Sequence, residues 1–477
     1  MQTFISKYSL AAHIALLATS PLFLFPWFGD DATASVLLWF SFIGSAWYFL
    51  EPSRKNGEML HDARRRVVSA LLKDPLFWCF AVLAVLALLR IGNDGVAMSY
   101  DAASGKWSIS GAKIAFLPSC VRGGGRLALA VIVALTIVAA VCRHALGKAA
   151  RTSFLFMLSL FAGMAAILAA FACHFGWGTA LMQAECQIPT SSFVGTAFGI
   201  CLLAGTASLA GAFERGWNGM LLLYSFALGA CATGLYFFAP VYVIAYFLLA
   251  FLLVFAVSLA HLGIVCDRTA AFKMVAAVIM ACLVPAICCM WLTPKNIEAA
   301  RLAPFTDEHF AFFSQNYWKT REICSAVAAK VWNASPWLGS GLGSFGIDMN
   351  YYAASGDWTV LPAAQSCAVN GWWHLLAERG LVGAISLALV VSVLVVSLAR
   401  RAITCSAAMS FFPSVAAAVF SLLALVGQAF FDVTFLRADV ALAAMAVFTI
   451  GASSMVAAPA NGVSPEKADV KKTATGE

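Results

Sequence analysis

The sequence predicts an all-α polytopic membrane protein of about twelve transmembrane helices, with a large external loop between the ninth and tenth. Three observations predict it. Of 477 residues, 62% are hydrophobic and 11% charged, too apolar for a soluble globule with a polar surface. The apolar runs have the length of about 20 residues that a helix needs to cross a hydrocarbon core. The polar–apolar alternation of barrel strands is nowhere sustained over about ten residues.

Taken in order, the runs place helices at roughly 9–28, 33–51, 75–91, 124–143, 152–174, 193–212, 217–235, 238–264, 270–292, 381–399, 407–430 and 434–457. Two joints are unusual. Phe237 to Pro240 must make a very tight turn, and Arg437 lies inside the last apolar run. The chain then divides into helices one to nine over 1–292, an external loop over 293–380, helices ten to twelve over 381–458, and a disordered cytoplasmic tail over 459–477.

Lys and Arg collect in short cytoplasmic loops. Arg54, Lys55, Arg64, Arg65, Arg66 and Lys73 follow the second helix, Arg143, Lys148 and Arg151 the fourth, Arg268 and Lys273 the eighth, and Arg400 and Arg401 the tenth. Both termini are therefore expected on the cytoplasmic side. The loops after helices one, five and seven carry no Lys or Arg and fall outside, as do the long loops 92–123 and 293–380. The thin positive flank of the first helix, Lys7, with no small-residue cleavage pattern after it, predicts a retained anchor.

The net charge of +7 resides largely in these loops, which favours anionic lipid headgroups over nucleic acid. Arg64 to Arg66, followed by Val67, Val68, Leu71 and Leu72, reads either as a short interfacial helix or as a solvated basic loop. Most of the 14 cysteines sit in apolar runs as small hydrophobes, and none has zinc spacing. In the external loop Cys324 and Cys367 would pair in an oxidising compartment; Cys173 and Cys186 are a weaker couple. Within the apolar runs only Arg437 and Asp439 approach the ionisable residues that ion-coupled transport needs, and they belong at the start of the last helix, paired or snorkelling. Chemistry is expected at the external face.

A connection as long as 293–380 should fold on the membrane surface. Glu322 to Trp332 reads as a helix, with Ile323, Val327, Ala328 and Val331 at helical spacing, ended by Asn333 to Pro336. Gly339, Gly341 and Gly343 then let the backbone approach a ligand and present open N–H groups, which suits a phosphate; the same pattern also serves a tight buried loop.

Arg321, Pro336, the block Gly339, Gly341, Gly343 and Phe345, and then Asn370, Gly380 and Gly383 leading into a membrane helix, resemble the signature of the bacterial O-antigen ligase and O-antigen polymerase superfamily. Leu375, Leu376, Ala377 and Glu378 fill the second motif in the expected way. The rest of the chain is similar in topology only. The resemblance implies a glycosyltransferase, of ligase or polymerase type, that takes a polyprenyl-diphosphate-linked glycan as donor and passes it to a glycan or lipid acceptor at the periplasmic face of the inner membrane. No metal site is apparent in the sequence, so metal-independent activity without a cofactor is expected, and a chain-length partner remains open. Arg321 would grip the donor diphosphate, since a guanidinium stays charged and bonds phosphate oxygens in parallel. The alternative is a surface ion pair with Glu322 or Asp307.

Two positions depart from the family. Where its motif has His before Asn370, this chain has Val369, which accepts no proton. His374 is the nearest substitute as base, with Glu378, Asp348, Asp357 and His309 elsewhere in the loop. On a continuous helix five residues span about 500°, so His374 serves only if the helix begins after Asn370. Otherwise it packs beside Trp372 and Trp373. A second arginine, usual in an earlier external loop, is missing from 176–192; Arg122 and Arg126 flanking Gly123 to Gly125 supply the charge or are ordinary interfacial anchors. The loop aromatics, among them Trp318, Trp332, Trp337 and Trp372, either stack on sugar rings or form an interfacial belt and a small core, and none is singled out as a sugar contact. Two other readings stand beside transfer: a family member that binds lipid-linked glycans without transferring them, and a flippase or exporter.

Overall fold

A computed structural model describes residues 2–24, 30–50, 59–93, 97–101, 106–110, 124–174, 191–266, 268–292, 315–346, 348–349, 368, 370–404, 412–430 and 437–453. In chain order its helices are α1 (Gln2–Leu24), α2 (Asp30–Leu50), α3 (Leu60–Leu72), α4 (Pro75–Gly92), α5 (Gly124–His144), α6 (Lys148–His174), α7 (Ser191–Glu214), α8 (Leu221–Phe238), α9 (Val241–Val265), α10 (Arg268–Leu292), α11 (Gln315–Ala334), α12 (Gly371–Thr404), α13 (Phe412–Ala429) and α14 (Ala438–Ala452). Among the described residues ten helices are long and apolar enough to cross a membrane, and Tyr8–Leu24 and Ala438–Ala452 are shorter apolar helices. The chain is a multi-pass membrane protein.

One element departs from the all-helical expectation. Strands β1 (Ala97–Asp101) and β2 (Lys106–Ser110) form an antiparallel hairpin, with Ala97 opposite Ser110 and Asp101 opposite Lys106. Each strand is too short to show an extended alternation, but Ser104-Gly105 between them is a turn dipeptide.

The bundle is organised around α7, whose membrane-length window is wholly buried inside the protein. It packs against α6, α8, α9, α13 and α14. Small residues permit this, as expected where lipid supplies no hydrophobic drive between helices and close backbone approach must do so. A Cβ on Gly205 would lie 2.5 Å from the Ser159 hydroxyl, and one on Gly199 2.5 Å from the Phe247 ring. The tight turn at Pro240 is present: α8 ends at Phe238, Ala239 and Pro240 are extended, and α9 starts at Val241. Arg437 precedes α14 and its Nε lies 3.8 Å from Asp439, so the last helix starts at Ala438.

The basic segment 64–72 is helical. In α3, Ala63, Val67 and Leu71 are buried while Arg64, Arg65, Val68 and Leu72 stay exposed, the division expected of a helix lying along an interface. Asp74 caps α4 by accepting from the Leu76 N–H at 3.0 Å and pairs with Arg143 and His144 at the end of α5. We call this the basic end of the bundle. The opposite end carries the glycine motifs.

Candidate functional site

The two sequence motifs fold into one unit at that opposite end. Helix α11 extends the expected 322–332 segment to 315–334, and Cys324, Val327, Ala328 and Val331 face a small core completed by Phe345, Met349, Ala368 and Ala377. The Ser335 N–H closes the helix on Val331 and Trp332 carbonyls, and Pro336 prevents its continuation.

The second motif opens α12. Asn370 caps it, its Oδ1 accepting from the Trp372 and Trp373 N–H groups at 3.0 and 3.2 Å. The helix therefore begins after Asn370, as a role for His374 required. At Gly380 the helix breaks, with φ 62° and ψ −167°, a conformation essentially reserved for glycine. The break leaves carbonyls of the preceding turn without helical partners, and the glycine loop supplies them. Ser340 N–H donates to Ala377 O at 2.8 Å and Gly341 N–H to Glu378 O at 3.1 Å. In return Leu381 N–H reaches Pro336 O and Val382 N–H reaches Trp337 O, at 2.9 and 3.0 Å. Gly339 and Gly380 allow the crossing: a Cβ on Gly339 would fall 2.4 Å from the Glu378 carbonyl carbon, and one on Gly380 2.5 Å from the Gly339 nitrogen.

This corrects the expectation of open amides. The N–H groups of Gly339 and Gly341 are bonded to Ser335 O and Glu378 O, so the first two glycines join the motifs to each other rather than presenting a phosphate cradle. Gly343, at φ 74°, is the exposed member of the series.

Arg321 and Asn370 meet at one acceptor. Arg321 Nη2 and Asn370 Nδ2 both donate to the Phe430 carbonyl at the end of α13, the latter at 3.3 Å. Arg321 also lies over the Trp318 ring at 5.2 Å from its centroid, and Trp372 lies against Phe430. Trp318 and Trp372 are exposed, so the arginine lies among exposed aromatic side chains. No ion pair of Arg321 with Glu322 is formed among the described residues.

His374 faces the other way. It is 8% exposed, edge-on to Phe345 at 5.3 Å, with Nδ1 accepting from Ala368 N–H at 3.3 Å and Nε2 lying 3.5 Å from the Glu378 carboxylate. Glu378 in turn accepts from Phe345 N–H at 3.2 Å. Both nitrogens of the expected base thus address the small core, beside Phe345 and on the core against which Trp373 also packs. Asp348 lies at its edge, accepting from the Ser344 hydroxyl at 3.0 Å, with Ser340 2.6 Å beyond. Burial pushes the Asp348 carboxyl up from its ordinary value; the Ser340 and Ser344 hydroxyls oppose that and Glu378 adds to it.

One site residue went unread. Arg90, near the end of α4, is 6% exposed and donates from Nη2 to Leu338 O at 2.7 Å and to Arg379 O at 3.4 Å. It clamps the glycine junction to the bundle. An arginine within an apolar run was the available signal, and only Arg437 and Asp439 were credited with it. Arg122, Val369, His309, Asp307, Asp357, Cys186, Cys367 and the tail lie outside the described residues. Arg126 is described and exposed.

Fold and site define a multi-pass membrane protein with an arginine-bearing, glycine-joined unit at one end of its helix bundle. No protein-family model matches the chain, and no curated protein matches it in sequence.

Proposed function

We propose that this chain is a glycosyltransferase of the bacterial inner membrane, with twelve membrane-crossing helices and both termini cytoplasmic, that transfers or polymerises a polyprenyl-diphosphate-linked glycan at the periplasmic face. The observation that carries the reading is the convergence of Arg321 and Asn370, from two separate motifs, on the single Phe430 carbonyl. In this reading Arg321 exchanges that carbonyl for the donor diphosphate. It neutralises the charge that develops as the glycosidic bond to the phosphate breaks. The prenyl chain lies along the bundle, and Trp318 and Trp372 flank the first sugars. Asn370 keeps α12 and the arginine in register. Gly343, rather than Gly339 or Gly341, is the glycine at which the backbone meets the ligand. His374 and Glu378 position the loop from behind.

A second reading, binding of the lipid-linked glycan without transfer, has one specific observation in its favour: the burial of both His374 nitrogens, together with Val369 in the place of a base. A deletion strain separates these readings from export. Transfer predicts that the lipid-linked donor accumulates on the outer leaflet of the inner membrane when the gene is removed. Accumulation on the inner leaflet instead contradicts it.

A further inference from the structure

Transfer of a glycan to a hydroxyl releases a proton, and a valine at 369 with a buried His374 leaves that proton without a receiver. Of the acid–base groups described in the motif unit, His374 and Glu378 are buried, with their nitrogens and oxygens engaged around the small core. Glu322 is exposed, and among the described residues nothing orients its carboxylate. Asp348 combines access with a fixed orientation. It is half-buried, on a helical turn in which its N–H bonds Ser344 O at 2.9 Å. Its Oδ2 accepts from the Ser344 hydroxyl at 3.0 Å, and that hydroxyl is braced by Ser340 at 2.6 Å. Among the described residues no hydrogen bond reaches the other oxygen, Oδ1, which is open to solvent. The Ser344 hydroxyl has a second acceptor in Gly341 O at 2.9 Å, so it can turn from the carboxylate when a proton arrives. Burial and the Glu378 charge raise the proton affinity of Asp348, while the two serine hydroxyls limit the rise. The placement suits the donor site as well. Gly343, the exposed glycine, stands one residue before this turn, while Met349 beside Asp348 and Cys324, three residues after Arg321, share the small core.

We propose that Asp348 is the general base that takes the proton of the acceptor hydroxyl, an inference that rests on the glycosyltransferase reading above. The acceptor oxygen attacks the anomeric carbon, and the bond from that carbon to the phosphate oxygen breaks with its electron pair going to the diphosphate. The proton passes to Asp348 Oδ1. No co-reactant is needed, and the charge left on the diphosphate is the one that Arg321 meets. A carboxylate held ionised against its surroundings costs stability, as groups kept for chemistry commonly do.

The test is the rate of transfer across pH by the full chain in proteoliposomes, from a radiolabelled polyprenyl-diphosphate-linked donor, with unfolding midpoints measured alongside. Asp348→Asn is expected to lose about 10²–10⁴-fold in rate while its midpoint stays at or above that of wild type. A purely structural role would not remove activity from a protein that is no less stable. Asp348→Glu is expected to recover part of the rate. In wild type the rate should fall in acid along a limb lying above the ordinary aspartate range. Ser344→Ala should move that limb to higher pH, because the Ser344 hydroxyl favours the ionised carboxylate. Undiminished transfer by Asp348→Asn overturns the assignment. So does a limb that Ser344→Ala leaves in place, a measurement that stands even if Asp348→Asn fails to fold. Absence of transfer by wild type is a different failure: it contradicts the glycosyltransferase reading and takes this inference with it.

Discussion

The helix bundle and the motif unit are held together by different means. In the bundle, helices approach through small residues, and what an added methyl would meet differs by position: the end of the Ser159 side chain at Gly205, but the Ala281 carbonyl at Gly229. In the motif unit two backbones cross directly, and an added methyl at Gly339 or Gly380 would meet peptide atoms. Side chains can turn aside and peptide atoms cannot. Gly205 should therefore absorb a change that the glycine junction does not.

The largest effect is expected at that junction. Gly339→Ala and Gly380→Ala each combine a left-handed backbone with a clash against main chain, and should cost about 3 kcal/mol or more, seen as loss of folded protein in detergent extracts. Gly205→Ala should cost about 1–2 kcal/mol and leave the protein extractable. Equal tolerance of all three would break the comparison.

Next comes Arg90. Replacing it with Leu removes a charged donor from the Leu338 and Arg379 carbonyls, at a cost of about 2–3 kcal/mol. The loss should concentrate in the junction, so hydrogen exchange should speed at Ser340 and Gly341 more than in α7. Uniform acceleration would mean that Arg90 belongs to the bundle alone.

His374→Ala should destabilise the protein by about 2 kcal/mol, through a small cavity beside Phe345 and a lost acceptor for Ala368, and so lower the unfolding midpoint. If transfer occurs, turnover per folded molecule should stay within about tenfold of wild type. A general base contributes about 10²–10⁴-fold, so a loss of that size at an unchanged midpoint would restore His374 as the base.

The smallest effect on stability is at Asp348. Its carboxyl is raised in the folded state, so the native protein holds the proton more tightly than the unfolded chain does. Stability from this group is greatest below the ordinary aspartate value and falls as pH rises through the raised one. Asp348→Asn should raise the midpoint by about 1–2 °C near pH 7, with the gain disappearing in acid. A fall at neutral pH would mean that the ionised carboxylate supports the Ser344 network.

Much of this contrast was legible in the sequence. Apolar length located the ten helices long and apolar enough to cross a membrane and two shorter apolar ones, and periodicity found α11 with Val327, Ala328 and Val331 on its buried face. The glycine pattern marked the junction but not its meaning. Gly339 and Gly341 read as a ligand loop because the partner that takes their neighbours' hydrogen bonds, the broken turn before Gly380, is remote in sequence. The kink escaped for a related reason: a glycine in an apolar run states permission, and only the packing of Trp337 against it states use. Arg90 was passed over because its partners are backbone carbonyls, which have no sequence signature.

The central claim is that Arg321 at the motif end binds a donor diphosphate. The most direct measurement is transfer in reconstituted proteoliposomes from a radiolabelled polyprenyl-diphosphate-linked donor, comparing wild type with Arg321→Ala and Arg321→Lys at matched unfolding midpoints. The account predicts transfer by wild type, a loss of at least about 10²-fold in Arg321→Ala, and partial recovery in Arg321→Lys, which restores charge without the paired hydrogen bonds. Undiminished transfer by Arg321→Ala would contradict it, leaving Arg321 as a cap on the end of α13.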